Sequence, residues 1–402
     1  MSIPDFSALP SPLTLLEVGA AGILWWLPAL FLRTGARSTP SLEEFSATPP
    51  SADAPRVSLI LPARNEAAHI APCIRAIRQS TWPNLELVVI DDHSTDGTDD
   101  LAREAAGGDP RVTIIPAPDL PSGWFGKQWA CQTGAAQASG SLLLFTDADT
   151  RHAPDLVTRL VAARNSRGAE LMSVAGRQDM LTIWERAVQP SVFAMILLRY
   201  GGAVRLEHAS RASDVIANGQ CFMISRDGYD AVGRHEAVRT FVAEDVMMAQ
   251  AVWAIGRRVS LAIGVRQLRT RMYDGLSALV RGWGKNMYAG GRFGMRGGDV
   301  GRMLYPILLP LVPLGMLAPF VGLLVAVAMT VNGTTPLALL TWSVTAGSGV
   351  LATFASANRL NGDPRRRSLL APLGAIVLLY ICVTAVLRGR RVEWKGRDYQ
   401  AA

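Results

Sequence analysis

Charge is what this 402-residue sequence has least of. Asp, Glu, Lys and Arg make up 18% of it, where a soluble domain carries about 25%. Three stretches, 303–331, 335–357 and 368–387, contain no charged residue at all. Cysteine is scarce too. Cys73, Cys131, Cys221 and Cys382 form no CxxC pair and have no His at zinc-binding spacing, so a disulfide scaffold and a structural zinc site are excluded. No GxGxxG follows the first apolar run and no GxxxxGK[ST] occurs anywhere, which disfavours a dinucleotide cofactor and P-loop chemistry. With 49% apolar residues, disorder and a collagen-like fibre are ruled out as well.

What charge there is lies unevenly. The net charge is +7, but 358–367 (NRLNGDPRRR) and 388–402 (RGRRVEWKGRDYQAA) each hold +3. Residues 56–302 net only +4 and show no arginine-aromatic stripe, so no nucleic-acid partner is expected. The charge-free runs are long enough to enter a bilayer, which takes about 20 helical residues. A fourth run, 13–32, carries only Glu17. It lacks the basic start of a signal peptide. These runs predict a multi-pass protein of the cell (inner) membrane, with the bilayer itself as a partner. Arg33 and Arg37 follow the first run, whereas residues 1–12 carry only Asp5. The positive-inside rule therefore places residues 1–37 as an anchor with its start outside and the catalytic domain in the cytoplasm. Pro306, Pro310, Pro313 and Pro319 predict an interfacial or re-entrant portion within 303–331. One conflict stands within the membrane part, 303–387. The two basic patches flank a single apolar run, so either that run does not fully cross or one patch lies outside.

Residues 38–55 are Ser/Pro/Ala-rich and read as a linker. Between 56 and 302 short apolar runs alternate with helical stretches: VSLIL at 57–61, ELVVI at 86–90, 112–115 and LLLF at 142–145. Helices are expected over about 67–79, 98–106, 127–138 and 154–164. This alternation predicts an α/β domain with a mostly parallel sheet covered on both faces. Ligands of such sheets bind beyond the C-terminal strand ends. Those ends carry PARNE, DDHSTDGT and DAD. An amphipathic, interfacial helix is expected around 276–290.

Asp147 and Asp149, one residue apart at a strand end, suit Mg²⁺ or Mn²⁺ together with phosphate oxygens; a solvated turn is the plainer alternative. Asp91 and Asp92 either accept from a base N–H or form an ordinary turn and N-cap. His93 reads as a turn residue. Lys127 either neutralises a diphosphate as a point charge, with Arg64 in a similar part, or is a solvated lysine. Glu244 and Asp245 open a helix, where a carboxylate is a cap or a general base. The run 184–200 reads as a core helix or as the wall of an acceptor route.

Taken in order, PARNE, DDHSTDGT, GK-x-W-A, DAD and ED resemble the inverting glycosyltransferases of family 2, over residues 57–250. The resemblance implies a GT-A (Rossmann-like) fold. It implies a nucleotide-diphospho-sugar donor, UDP-linked, held by Pro62, Ala63, Arg64, Glu66, Asp91, Asp92, Lys127 and Asp147. It makes Asp149, with Asp147, the metal ligand and Asp245, beside Glu244, the base. The Q-x-x-R-W signature of processive members is missing: the region reads ALVRGWGKNMYAGG, with Arg281 and Trp283 but no Gln at the family position. GWFGKQWAC, GW-x-KN and VEWKGRDY are similar to the membrane-bound branch that glycosylates hopanoids and carotenoids. That implies a lipid acceptor, with Arg281, Trp283 and Lys285 near it. A polyprenyl-phosphate sugar transferase and an exopolysaccharide synthase are the enzymatic alternatives, and a non-catalytic nucleotide-sugar binder the alternative of another class.

Overall fold

A computed structural model describes residues 10–295, 298–389 and 391–400. Asp5 and the rest of residues 1–9, Arg390, and residues 401–402 lie outside the described residues. Helices α1 (Pro12–Ile23) and α2 (Leu27–Arg37), joined by one 3₁₀ turn, make the first apolar span. Ser11 caps α1 by accepting from the Thr14 amide.

The sheet then builds up as the apolar runs predict. Strand β1 (Val57–Ala63) is followed by α3 (Ile70–Arg78), β2 (Leu85–Asp91), α4 (Thr98–Ala106), β3 (Val112–Pro116), α5 (Gly126–Gln137) and β4 (Leu142–Thr146). These four strands are parallel and ordered β3-β2-β1-β4. The near-continuous burial of β1, β2 and β4 follows from helices on both faces, while the edge strand β3 is only half-buried. Ala63 stands level with Asp91, so the loops after β1 and β2 leave the sheet side by side.

Beyond β4 come β5 (Thr150–His152), α6 (Leu156–Arg167), β6 (Leu171–Ala175), β7 (Arg177–Gln178), α7 (Ile183–Tyr200) and α8 (Ala203–Glu207). They are followed by β8 (Cys221–Ser225), α9 (Arg226–Ala231), α10 (Glu244–Ala254), β9 (Val259–Ile263), β10 (Leu268–Thr270) and α11 (Leu276–Lys285). Strand β8 runs antiparallel between β4 and β6, with Thr146 opposite Cys221. The start of β8 therefore meets the end of β4, and residues 218–220 sit beside Asp147. Nothing in the apolar pattern announces this reversal.

The composition of 38–55 predicts a linker, yet its first half is docked. Leu42 is fully buried, Ser41 and Glu44 cap each other across one turn, and the Ile263 amide donates to the Pro40 carbonyl. One apolar side chain that fits the core outweighs the Ser/Pro composition around it.

Helices α12 (Gly298–Val331), α13 (Leu337–Leu360) and α14 (Ala371–Arg388) follow. With the α1–α2 segment, the stretches Gly298–Val331, Leu337–Leu360 and Arg365–Arg388 are long and apolar enough to cross a membrane. Large apolar side chains such as Leu16, Ile307 and Leu324 stay exposed on α1 and α12. The expected break in 303–331 is absent: α12 is one helix through all four prolines. Proline's fixed φ is itself helical, and α13 and α14 pack along α12.

The last described segment is a hairpin of β11 (Arg391–Trp394) and β12 (Arg397–Gln400). Both basic patches touch the catalytic domain. Asn361 exchanges bonds with the Gln178 backbone, and Asp363 pairs with Arg177 at 3.5 Å. The hairpin reaches the ends of β1 and β2. Helix α14, between the patches, lies along α7 and α11. At the contact with α7, a Cβ on Gly374 would come within 2.0 Å of the Ala187 carbonyl oxygen. Gly374→Ala must therefore push two backbones apart, at a cost of about 1–3 kcal/mol. A lower thermal midpoint in detergent is expected; an unchanged one would mean that α14 does not rest on α7.

Candidate active site

A cavity of about 1360 Å³ opens at the C-terminal ends of the strands. Its floor carries the acidic and lysine residues singled out in the sequence. Lys127, in the first turn of α5, lies 2.8 Å from Asp147 Oδ1 and 2.7 Å from Glu244 Oε1. Burial works against the Lys127 ammonium, but the charges of Asp147 and Glu244 hold its pKa well above the usual lysine value. The same contact keeps the buried Glu244 carboxyl below its ordinary value despite desolvation. Glu244 is thus committed to Lys127.

Asp245 is held differently. Its Oδ2 accepts from the Gly219 amide at 2.6 Å and its Oδ1 from its own neighbour's amide, Val246, at 2.9 Å. A Cβ on Gly219 would stand 2.9 Å from that Oδ2, so the close approach of backbone to carboxylate requires glycine. Burial, and then the Glu244 charge, push the Asp245 carboxyl up to about 7. A carboxylate poised there can exchange protons near neutral pH.

Asp149 lies deep in the same floor. Its pKa is raised well above the ordinary carboxyl value by burial, with Asp147 and Glu66 adding to it. Its Oδ1 is buried without a hydrogen-bond partner. A buried oxygen left open in this way awaits a ligand. All-oxygen donors suit a hard divalent cation such as Mg²⁺ or Mn²⁺. Among the described residues no group of three or more His, Cys, Asp or Glu could hold a metal ion, so a cation here would take its remaining ligands from water or from a bound phosphate.

The two neighbouring aspartates after β2 part company. Asp91 accepts from the Ser94 amide through Oδ2, while its Oδ1 is buried and open. Asp92, which the sequence resemblance places on the nucleotide, is taken by Arg397 through two hydrogen bonds, 2.6 and 3.1 Å. Arg64 likewise gives its guanidinium to the Asp92 and Lys395 carbonyls. Asp92 lines the cavity, where Arg397 covers its carboxylate, whereas Asp91 is not among the lining residues and stands behind the Ser94 turn. Pro62, Ala63, Arg64 and Glu66 line the cavity. His93 takes a positive φ of 55° in the turn, as its position predicts.

The opposite wall is apolar. Phe193 and Ile196 of α7, Leu309 and Val312 of α12, and Leu360 of α13 line it. Trp283 is buried there, edge-to-face with Phe193 and Tyr273. Lys285 joins this wall, its ammonium lowered to about 8 by burial against the attraction of Glu244. Arg281 is not part of the lining; it is exposed and hydrogen-bonds Ser277. Sequence reasoning missed Gly219, Lys395, Arg397 and Tyr399. The WKGRDY stretch was noted only as part of the resemblance, and no sequence pattern marked Gly219.

Residues 58–233 match the model of Glycosyl transferase family 2. The chain is a glycosyltransferase with a family 2 domain. It is similar to the 4,4'-diaponeurosporenoate glycosyltransferase of Staphylococcus aureus (strain USA300), 25% identical over 355 residues, 85% of this chain and 88% of that one. The enzyme of the same name from Staphylococcus haemolyticus is 24% identical over 239 residues, of whose length this glycosyltransferase spans 61%. A mannosyltransferase of Pyrobaculum calidifontis, solved with GDP-Man and Mn²⁺, superposes with a TM-score of 0.50 at 18% identity, over 93% of this chain and 97% of that one. That likeness is one of fold, the GT-A fold.

Proposed function

We propose that this glycosyltransferase moves a sugar, with inversion, from a nucleotide-diphospho-sugar to a hydroxyl of a terpenoid membrane lipid. One observation carries the reading: a single cavity joins the carboxylate–lysine floor to an apolar wall built by α7 and the membrane helices. A donor with a charged diphosphate fits one end. A long apolar acceptor entering from the bilayer fits the other.

The family resemblance assigns the base or ribose to Asp91, whose Oδ1 is buried and open just behind the lining, and Pro62, Ala63, Arg64 and Glu66 form the rim. Asp147 and Asp149 hold a divalent cation, which when bound neutralises charge on the leaving diphosphate. Asp245 takes the proton from the acceptor hydroxyl. The freed oxygen bonds to the anomeric carbon from the face opposite the donor oxygen. The bond from that carbon to the diphosphate breaks, and nucleoside diphosphate leaves beside Lys127, whose fixed charge favours it. The donor base is read as uracil. Membrane anchorage through α1–α2, α12 and α13, with α14 lying against the domain, keeps the site on the cytoplasmic face.

The test is transfer by the full chain in lipid nanodiscs. Labelled UDP-sugar or GDP-sugar, Mn²⁺ and an organic extract of membranes are supplied, and lipid products are read by mass spectrometry. A glycoside of a terpenoid lipid supports the reading. A sugar linked to polyprenyl phosphate, a polymeric product, or donor binding without any turnover would overturn it in favour of one of the three rivals.

A further inference from the structure

Lysine is almost absent from this chain. It has three, Lys127, Lys285 and Lys395, against 37 arginines. All three line the same cavity. Arg64, Arg199 and Arg271 line it as well, but every choice of a compact ammonium with rotatable donors over arginine in this chain falls in this cavity. That is the form of cation suited to a phosphate as a point charge.

Lys395 arrives there by an unusual route. It and Gly396 are the two central residues of the hairpin, between the paired Trp394 and Arg397. Their φ angles are 48° and 76°. Two positive φ values make the tight primed turn, which Asn-Gly or Asp-Gly fills most easily. A lysine held in that region costs free energy that asparagine would largely avoid. The turn aims it back into the cavity, where Nζ donates to the Asn65 carbonyl at 2.9 Å and meets Glu66 Oε1 at 3.0 Å. Burial raises the Glu66 pKa while Lys395 lowers it, and Asp147 and Asp96 raise it further. Lys395 thus already answers part of the negative charge of the floor.

Three contacts fix the hairpin in place. Arg397 grips the buried Asp92 with two hydrogen bonds. The Tyr399 hydroxyl accepts from the Gly126 amide at 3.2 Å, one residue before Lys127, and its ring lies 4.3 Å from that of Phe125. Arg64 Nε donates to the Lys395 carbonyl at 3.2 Å. The basic tail is thereby a wall of the pocket rather than an anchor on the lipid surface. Lys127 is bound on both sides by Asp147 and Glu244, so a diphosphate entering among these carboxylates needs a further cation.

We infer that Lys395, delivered by the C-terminal hairpin, binds the diphosphate of the donor, and that Arg397 and Tyr399 position it. The inference rests on the nucleotide-diphospho-sugar reading above. Calorimetry on the full chain in nanodiscs with Mn²⁺ tests it, using UDP and GDP and, as phosphate-free probes, uridine and guanosine. Lys395→Ala is expected to weaken the nucleoside diphosphate about tenfold and leave the nucleoside unchanged, while Lys395→Arg keeps most of the affinity. Arg397→Ala is expected to lower the same diphosphate-to-nucleoside ratio. An unchanged ratio in Lys395→Ala, or an equal loss of both ligands, would overturn the role of Lys395. If the unsubstituted protein binds neither UDP nor GDP, the donor reading falls first, and the two failures are told apart by that control.

Discussion

Asp245→Asn is expected to lower kcat by about 10²–10⁴-fold, the range that a positioned proton acceptor contributes, while donor affinity stays within a few-fold. The geometry dictates that split. Asp245 accepts from Gly219 and Val246 and is not tied to Lys127, so asparagine keeps the volume but loses the basic oxygen. The pH profile gives a second reading. Burial and Glu244 place the Asp245 carboxyl near 7, above its ordinary value, so the protonated form dominates below that pH and cannot take a proton. The profile of kcat/KM, which reports the free enzyme, should therefore rise with pH through about 7. Asp245→Asn should flatten that limb. Equal losses in donor affinity and turnover, or a limb that survives the substitution, would assign the base elsewhere.

Glu244 offers a contrast one residue away. Its charge is spent on Lys127 at 2.7 Å, so Glu244→Gln should disturb the lysine and the donor together rather than remove a base. Rapid-equilibrium binding of the nucleoside diphosphate would show the difference, with affinity falling in Glu244→Gln and holding in Asp245→Asn.

The first half of the catalytic domain was legible because its information is local. Four short runs rich in Val, Ile and Leu, each followed by a helical stretch, leave little choice but parallel strands with their polar loops at one edge. The loops then declared themselves by residue type. The illegible part is non-local. Arg397 meets Asp92 across 305 positions, and neither residue carries a mark of that meeting. Asp91 and Asp92 are alike in sequence, yet Asp92 lines the cavity under Arg397 while Asp91 turns to the Ser94 amide. Strand β8 reverses direction because the chain returns from α7 to fill the gap between β4 and β6. That return is what brings Gly219 to Asp245. The basic tail reads as lipid-facing from composition alone, since positive charge after an apolar run has that meaning by default. Only the fold shows an acidic partner waiting for it. Both basic patches touch the catalytic domain, and α14 between them packs on α7 as well as on α12.

Asp149→Ala is expected to be as damaging as the loss of the base, by a separate route. Asp149 keeps one buried oxygen without any hydrogen-bond partner, an arrangement costly to maintain unless a ligand comes to it. If that ligand is a divalent cation bridging to the donor diphosphate, its removal deletes the main charge opposing the leaving group. Losing one preorganised group at a developing anion costs about 10²–10³ in kcat, and a divalent cation should lie at or beyond the upper end. The decisive comparison is with metal removal. Chelation with EDTA should weaken nucleoside diphosphate binding by the unsubstituted enzyme, yet change nothing further in Asp149→Ala, because both interventions delete the same interaction. Additive losses would show that Asp149 and the metal act independently, and the carboxylate would then be a structural group of the strand end. Removing a buried carboxylate that is raised by its neighbours Asp147 and Glu66 also relieves repulsion. Asp149→Ala should therefore fold at least as stably as the parent, so its inactivity cannot be put down to unfolding.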